Sequence, residues 1–380
     1  MLIGIDASRG FLKNRTGVEE YSYQIAKTLA KIDQKNQYIL YLNGRENLEV
    51  ARKIAWPENF RLKNIPLPRF WSHSRLCLAA WADKVDLLFV PAQAMPLLYH
   101  GKTVVTLHGL EYEYYPQSYS TWRRSYLRFT TKFSLKAAGK IIAVSENTKK
   151  DLVKMYNGDP EKIEVVYHGF APAFSSSHPP SPPLGRGGNL PLLFKEGLGE
   201  VLDPFLLSLG RLESRKNIVN LIKAFELLKK DGWSGKLILT GKPGYGYEKI
   251  KKAILESRWE KDIFEKGFVS ENEKWNLLQN AAVFVFPSFY EGFGMPLLEA
   301  FTAGAPVVCS CASSLPEVGQ DACLYFDPND IRKMAKKIKQ VLDDDLLRED
   351  LIAKGKSRLK NFSWEKCGRE TLGVLEEAIK

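Results

Sequence analysis

The chain has 380 residues, 44% hydrophobic and 26% charged, an ordinary globular make-up with apolar material for two cores. Its formal net charge of +11 favours anionic partners: nucleic acid, acidic lipid or phosphorylated substrates. No apolar run approaches the roughly 18 residues that cross a bilayer, and five scattered cysteines (Cys77, Cys309, Cys311, Cys323, Cys367) form neither a disulfide framework nor a zinc-ligand pattern.

Met1–Gly10 places Asp6 in a short apolar stretch with no basic lead-in, so it is expected to be a first strand rather than a signal peptide, and the thiols are expected to be free in a reducing cytoplasm. Further short strands, apolar on both faces as buried parallel strands are, are expected at Leu2–Ile5, Tyr38–Leu42, Leu87–Val90, Val104–Leu107, Ile141–Val144 and Ile163–Val166. A helix with Tyr21, Ile25, Leu29 and Ile32 on one stripe lies between the first two. Residues 171–204 are rich in Pro, Gly and Ser without a period and predict a linker or insertion. Strands resume at Phe205–Leu209, Leu237–Thr240, Val283–Phe286, Val307–Cys309 and Leu324–Phe326. A helix from Ile218, with Asn217 as its N-cap, carries Leu221, Ile222, Phe225 and Leu228 on one face, and charged amphipathic helices follow Ile331. Two βαβ-rich halves predict two doubly wound α/β domains.

Four stretches carry chemistry. After the strand Val283–Phe286, the run EGFGMPLLE (Glu291–Glu299) forms a tight loop at Gly292 and Gly294 and opens a helix near Pro296. Backbone N–H groups and a helix tip at the C-terminal edge of a parallel sheet suit phosphate and polyol. Glu291 and Glu299 add acceptors for sugar hydroxyls; the plain alternative is two solvated glutamates with glycines for the turn. SLGRLESRKN (Ser208–Asn217) offers Gly210 for close backbone approach and Arg211 and Lys216 as fixed cations for a departing diphosphate. VVTLHG puts His108 at a strand end, either as a hydroxyl or phosphate partner or as a structural histidine held by backbone. The loop Asp6–Val18, with Gly10 and Gly17, matches neither GxGxxG nor GxxxxGK[ST], which excludes a dinucleotide or P-loop assignment.

Together, the TGV loop, VVTLHG, IIAVSENTKKDL, IEVVYHGF, SLGRLESRKN, FPSFYEGFGMPLLEAFTAGAPVVCS and SSLPEVGQDACLYFDPND resemble the GT-B retaining glycosyltransferases of family 4 (glycosyltransferase group 1), bacterial mannosyltransferases among them, over nearly the whole chain. The resemblance implies two Rossmann-like domains facing across a cleft: an N-terminal acceptor domain over 1–170 with the C-terminal helix (about 363–380) packing back on it, and a nucleotide-sugar domain over 205–362. It also implies roles. Glu291 would bind the donor sugar, and the stretch Phe293, Gly294, Met295, Pro296 and Leu297 the sugar and phosphates. Arg211 and Lys216, beside Gly210, would grip the diphosphate, and Glu299 the ribose. His108 would sit over the donor sugar, Gly17 near the phosphates, and Gly267, Phe268 and Val269 beside the base. Ser145 and Glu146 would meet the acceptor. Gly109 stands where many relatives carry Asp, with Glu111 close by.

The implied reaction retains anomeric configuration, with the leaving phosphate taking the acceptor's proton. No convincing DxD-like motif is present, so no metal and no cofactor are expected; the donor is a nucleoside-diphosphate sugar, GDP-mannose favoured, and the acceptor a saccharide or lipid-linked saccharide. Residues 121–154 set nine Lys and Arg against Glu146 and Asp151, with Trp122, Tyr126, Phe129 and Phe133 interleaved. This suits either a helix resting on anionic lipid at the inner face of the membrane or a packed helix with a solvated basic face. Nucleic acid would suit the charge, but no motif for it is present. A non-catalytic module of the same fold would be expected to have lost some of Arg211, Lys216, Glu291, Glu299 and His108, and an epimerase would lack the EGFG setting; all five residues and that setting are here.

Overall fold

The computed structural model describes residues 1–67, 71, 74–92, 94–171 and 204–380. The expected linker therefore lies, apart from its end residues Ala171 and Pro204, outside the described residues. The chain divides into two compact units, Met1–Ala171 with Phe362–Lys380, and Pro172–Asn361.

The first unit runs β1 (Leu2–Asp6), α1 (Gly17–Ile32), β2 (Gln37–Leu42), α2 (Arg45–Ala51), β3 (Phe60–Asn64), α3 (Arg75–Ala82), β4 (Leu87–Val90), β5 (Thr103–Leu107), α4 (Glu111–Tyr114), α5 (Thr121–Ala137), β6 (Lys140–Ala143), α6 (Glu146–Tyr156) and β7 (Ile163–Val165). Its strands form one parallel sheet in the order β3-β2-β1-β4-β5-β6-β7. Alternate strand residues feed two cores. Ile3, Ile5, Leu40, Phe89, Val104 and Ile142 meet Tyr21, Ile25 and Leu29 of α1 on one face. Ile39, Tyr41, Leu88, Val90, Val105 and Ile141 meet Leu76 and Ala80 of α3 on the other. Burial on both faces is why these strands read as unbroken apolar runs.

The second unit runs β8 (Phe205–Leu209), α7 (Ile218–Lys230), β9 (Lys236–Thr240), α8 (Tyr247–Leu255), β10 (Ile263–Gly267), α9 (Glu271–Asn280), β11 (Val283–Phe286), α10 (Met295–Ala303), β12 (Val307–Ser310), α11 (Leu315–Gly319), β13 (Cys323–Phe326), α12 (Ile331–Asp343) and α13 (Asp345–Arg358). The sheet is again parallel, in the order β10-β9-β8-β11-β12-β13. The last helix, α14 (Trp364–Glu377), returns to the first unit, where Cys367, Val374 and Leu375 complete the core beneath α1.

Two strands, β3 and β10, were not expected. Both are edge strands, and FRLKN and IFEKG carry charges that a buried strand would not tolerate. Asn217 does hold the N-cap position of α7, in the left-handed region (φ 59°), and its carbonyl accepts the Leu221 N–H, but its side chain makes no capping bond. Its amide donates instead to the carbonyls of Pro287 (3.1 Å) and Pro328 (2.7 Å). The side chain thus ties together the loops that follow β8, β11 and β13.

α14 lies on α1 where Gly368 faces Thr28 and Ile32, and a β-carbon at 368 would overlap the Thr28 methyl. Two effects oppose each other in Gly368→Ala. Helix propensity gains about 1 kcal/mol, while overpacking two helix backbones costs about 1–3 kcal/mol. We expect overpacking to win and the thermal midpoint of the first unit to fall; a raised midpoint would show that the helices separate freely.

Candidate active site

In a doubly wound sheet, the loops leaving two neighbouring strands diverge where the winding reverses, which leaves a crevice at the strand C-termini. In the second unit this point lies between β8 and β11. The loop after β8 carries Gly210–Asn217, and the loop after β11 carries Pro287–Gly294.

The two loops meet through charge. Lys216 Nζ donates to Glu291 Oε1 at 2.6 Å, and Arg215 Nη1 lies 3.0 Å from Glu291 Oε2. The same Nη1 donates to the Tyr290 carbonyl at 2.6 Å, while Arg215 Nε and Nη2 hold Glu213 at 3.1 and 2.8 Å. Lys216 is buried over the Phe286 ring, 4.9 Å from its centroid. Burial alone would raise the Glu291 carboxyl, but the charges of Arg215 and Lys216 outweigh it and pull it down to about 2. Glu291 is therefore a carboxylate at any working pH.

A third loop, after β12, braces the second. Ser313 Oγ accepts the Glu291 N–H at 2.8 Å, and the Ser314 hydroxyl donates toward the carbonyls of Glu291 (2.9 Å) and Phe293 (2.8 Å). Ser313 sits at φ 51°, a conformation that L-residues rarely adopt. α10 then opens at Gly294 (φ 108°) with Pro296 in its first turn, and its N-cap residue brings no side-chain acceptor to the helix tip. Phe293 and Leu297 are buried beneath the loop; Met295 and Pro296 are half-buried.

Glu299, on α10, pairs with Lys274 of α9 at 2.8 Å and lies within electrostatic range of Lys216. Backbone crowds the neighbouring strand ends: a β-carbon on Gly241 would overlap the Gly210 carbonyl, and Gly241 N–H donates to Gly267 O at 2.7 Å. Phe268 is 75% exposed, with Lys242 4.8 Å above its ring, and Val269 follows it half-buried. Arg211 is exposed and folds over Gly244. The structure thus brings Lys216, Glu291 and Glu299 together and sets Arg211 on the same loop as Lys216.

In the first unit the reversal lies between β1 and β4. His108 follows β5, and its Nε2 is 2.7 Å from the carbonyl of Pro91, directly after β4. A carbonyl only accepts, so Nε2 carries the proton and Nδ1 is the acceptor. Tyr21 lies edge-on to both His108 (4.9 Å) and His168 (4.8 Å). Burial lowers the His108 pKa to about 4, and His168 is likewise pushed down. Gly17 is exposed at the start of α1, with open space where a side chain would stand. Ser145 is fully buried: its hydroxyl accepts the Thr148 N–H and donates to Thr148 Oγ1, which caps α6. Glu146 beside it is exposed. Among the described residues no group of three or more His, Cys, Asp or Glu side chains is placed to hold a metal ion.

Arg215, Ser313, Ser314, Lys274 and His168 were not singled out from the sequence, and Tyr21 was read there only as part of an apolar stripe. Arg215, His168 and the two serines do lie inside stretches that were quoted, but only the fold shows which neighbour each side chain meets.

The sequence matches the family described as "Glycosyl transferases group 1" over residues 194–358 and "Glycosyltransferase Family 4" over 15–174. It is 31% identical over 379 residues to the O-antigen chain mannosyltransferase B of Escherichia coli, covering 95% of this chain and 96% of that one. The chain belongs to glycosyltransferase family 4. A second relative, the O-antigen chain mannosyltransferase RfbU of Salmonella typhimurium, is 28% identical over 65% of this chain and 62% of its own. Among solved structures, Anabaena HepE with UDP and glucose superposes with a TM-score of 0.73 (18% identity, 99% of both chains). Sucrose-phosphate synthase from Thermosynechococcus elongatus gives 0.71 (18% identity, 99% of this chain and 98% of that one). The fold is GT-B, and the protein is a glycosyltransferase.

A prediction concerns His108 of this glycosyltransferase. Its folded pKa lies below the ordinary value of about 6.5, so the folded state binds the proton less well than the unfolded chain. This contribution is complete above about pH 6.5 and is lost progressively as pH falls toward 4. For a half-buried ring it is of the order of 2 kcal/mol. Denaturation of His108→Gln should show a correspondingly weaker loss of stability between pH 7 and 4; a profile parallel to that of the unsubstituted protein would mean that the ring titrates normally.

Proposed function

We propose that this glycosyltransferase moves a hexose, mannose foremost, from a nucleoside-diphosphate sugar to a saccharide or lipid-linked saccharide with retention of anomeric configuration, in the assembly of surface polysaccharide. The names of the two O-antigen mannosyltransferase relatives support the sugar and the setting, and on that ground GDP-mannose is the favoured donor.

The buried Lys216–Glu291 pair at the reversal of the second sheet carries the proposal. Glycosyl transfer leaves negative charge on the departing diphosphate. Lys216, Arg211, the Gly210 backbone and the tip of α10 would meet that charge. Preorganised donors of this kind are each worth about 3–4 kcal/mol in a transition state. Glu291 would take donor-sugar hydroxyls, Glu299 ribose hydroxyls, and Gly267, Phe268 and Val269 the base. His108 would present Nδ1 as an acceptor to a sugar hydroxyl, and Gly17 would approach phosphate. The leaving phosphate would take the acceptor's proton on the face it departs from. Protein cations supply the counter-charge, so no metal is required in this scheme.

A thermal-shift screen of GDP-, UDP- and ADP-sugars, followed by a transfer assay, tests it. GDP-mannose should shift the melting point most, Glu291→Gln should lose at least a hundredfold in kcat/KM while folding normally, and EDTA should leave turnover intact. Strict dependence on added Mn²⁺, or full activity of Glu291→Gln, would overturn the scheme.

α5 supports a peripheral membrane reading. Trp122 (75% exposed) and Phe129 (55% exposed) face outward with Arg123, Lys132 and Lys136, whereas Thr130, Thr131 and Ser134 are buried. Leu135 is buried beside them, and Leu127 and Phe133 pack against the core, so the inner face is a mixed one; the two aromatics and three basic residues of the outer face suit an interfacial helix. Arg124 and Arg128 are tied to Glu113, so the free basic edge is the outer one. Among the described residues no helix is long and apolar enough to cross a membrane. Flotation with vesicles containing phosphatidylglycerol should capture the protein, and Trp122→Ala with Phe129→Ala should reduce capture severalfold; equal capture would place lipid contact elsewhere.

A further inference from the structure

Glu291 carries two cations, one on each oxygen, and they differ in how they are held. Lys216 Nζ grips Oε1 from the end of a four-carbon stem lying over the Phe286 ring. Arg215 is fixed by its whole fork: Nε and Nη2 on Glu213, and Nη1 on both the Tyr290 carbonyl and Glu291 Oε2. Its own carbonyl accepts the Phe289 N–H at 3.0 Å, which locks the Arg215 backbone to the loop that carries Glu291. A guanidinium held in this way is planar and preorganised, while an ammonium on a flexible stem is a movable point charge.

An incoming diphosphate competes for Lys216. Were Lys216 the sole counter-ion, Glu291 would become a buried, unpaired carboxylate at the moment the donor arrives, a loss that commonly costs several kcal/mol. Arg215 cannot leave without breaking its bonds to Glu213 and Tyr290. We propose that Arg215 is a positioning residue that keeps the Glu291 carboxylate in place for the donor sugar while Lys216 turns to the diphosphate. The inference rests on the reading of Glu291 as the sugar contact and deepens it by dividing the labour between adjacent cations.

The groups that face Glu291 define its titration. From the loop after β8 come Arg215 and Lys216, with Glu213 behind them; from the end of β11 comes Ser288; from the loop after β12 come Ser313 and Ser314. Glu299 on α10 lies within range of Lys216. Taking Arg215 away leaves Lys216 alone to oppose the desolvation of Glu291. Donor use would then acquire an acidic limb that the unsubstituted enzyme lacks.

The experiment compares Arg215→Met, Arg215→Lys and Glu291→Gln with the unsubstituted full chain, using whichever of GDP-mannose, UDP-glucose and ADP-glucose gives the largest thermal shift. KM for the donor and kcat are measured from pH 5 to 9, with melting curves to check folding. Arg215→Met should raise the donor KM at least tenfold with a smaller change in kcat, and its kcat/KM should fall toward the acidic end of the range, where that of the unsubstituted enzyme stays flat. Arg215→Lys should recover part of both effects, since it restores charge without the fork. If Glu291→Gln is inactive while Arg215→Met keeps the KM and pH profile of the unsubstituted enzyme, the positioning role is overturned and the sugar contact stands. If Glu291→Gln is fully active, the underlying reading fails and the inference fails with it. Should Arg215→Met not fold, Arg215→Lys decides alone: an unchanged KM and pH profile overturns the inference.

Discussion

A carboxylate taken out of water must be compensated where it stands, and Glu291 meets a cation at each oxygen while its backbone is held as well. Lys216 and Arg215 hold its oxygens, and Ser313 holds its own N–H. The two cations come from the loop after β8 and Ser313 from the loop after β12, so both are drawn to the loop after β11 that carries Glu291. The chemistry proposed for the site needs fixed charge, and fixed charge buried among apolar strands demands this much scaffolding.

The sheets explain why the point lies where it does. Reversal of winding between β8 and β11 leaves their loops side by side yet diverging, and glycine then lets backbone crowd in. Gly210 and Gly241 meet main chain to main chain, both at positive φ, and at Gly241 there is no room for a side chain. In the first unit the neighbouring ends of β4 and β5 bring the Pro91 carbonyl to His108 Nε2 and so select the tautomer.

Most of the fold could be read from the sequence because most strands are buried on both faces and show as short Ile/Val/Leu runs; β4, β8 and β11 were delimited to the residue. β3 and β10 escaped because an edge strand is half solvated and its charges mask it. At the site, Lys216, Glu291 and Glu299 were legible from their place after strands and around a glycine turn. Arg215 was not, because adjacent residues on an irregular loop give no periodic clue to direction. Ser313 is harder still: its role depends on a left-handed backbone that nothing in the local sequence announces. Ser145 adds a role that the sequence reading did not give it: its hydroxyl accepts the Thr148 N–H at the start of α6.

The return of α14 sets the order in which the molecule can be finished. Cys367, Val374 and Leu375 lie in the core beneath α1, near residues such as Ile25 and Leu29 that leave the ribosome more than 300 residues earlier. The amino-terminal unit is thus synthesised first and sealed last. The second unit needs nothing beyond Asn361 and can fold while its predecessor still shows an uncovered apolar face. A chain that stalls or is clipped a dozen residues short of Lys380 loses half of that seal, and the damage falls on the far end of the sequence from the cut.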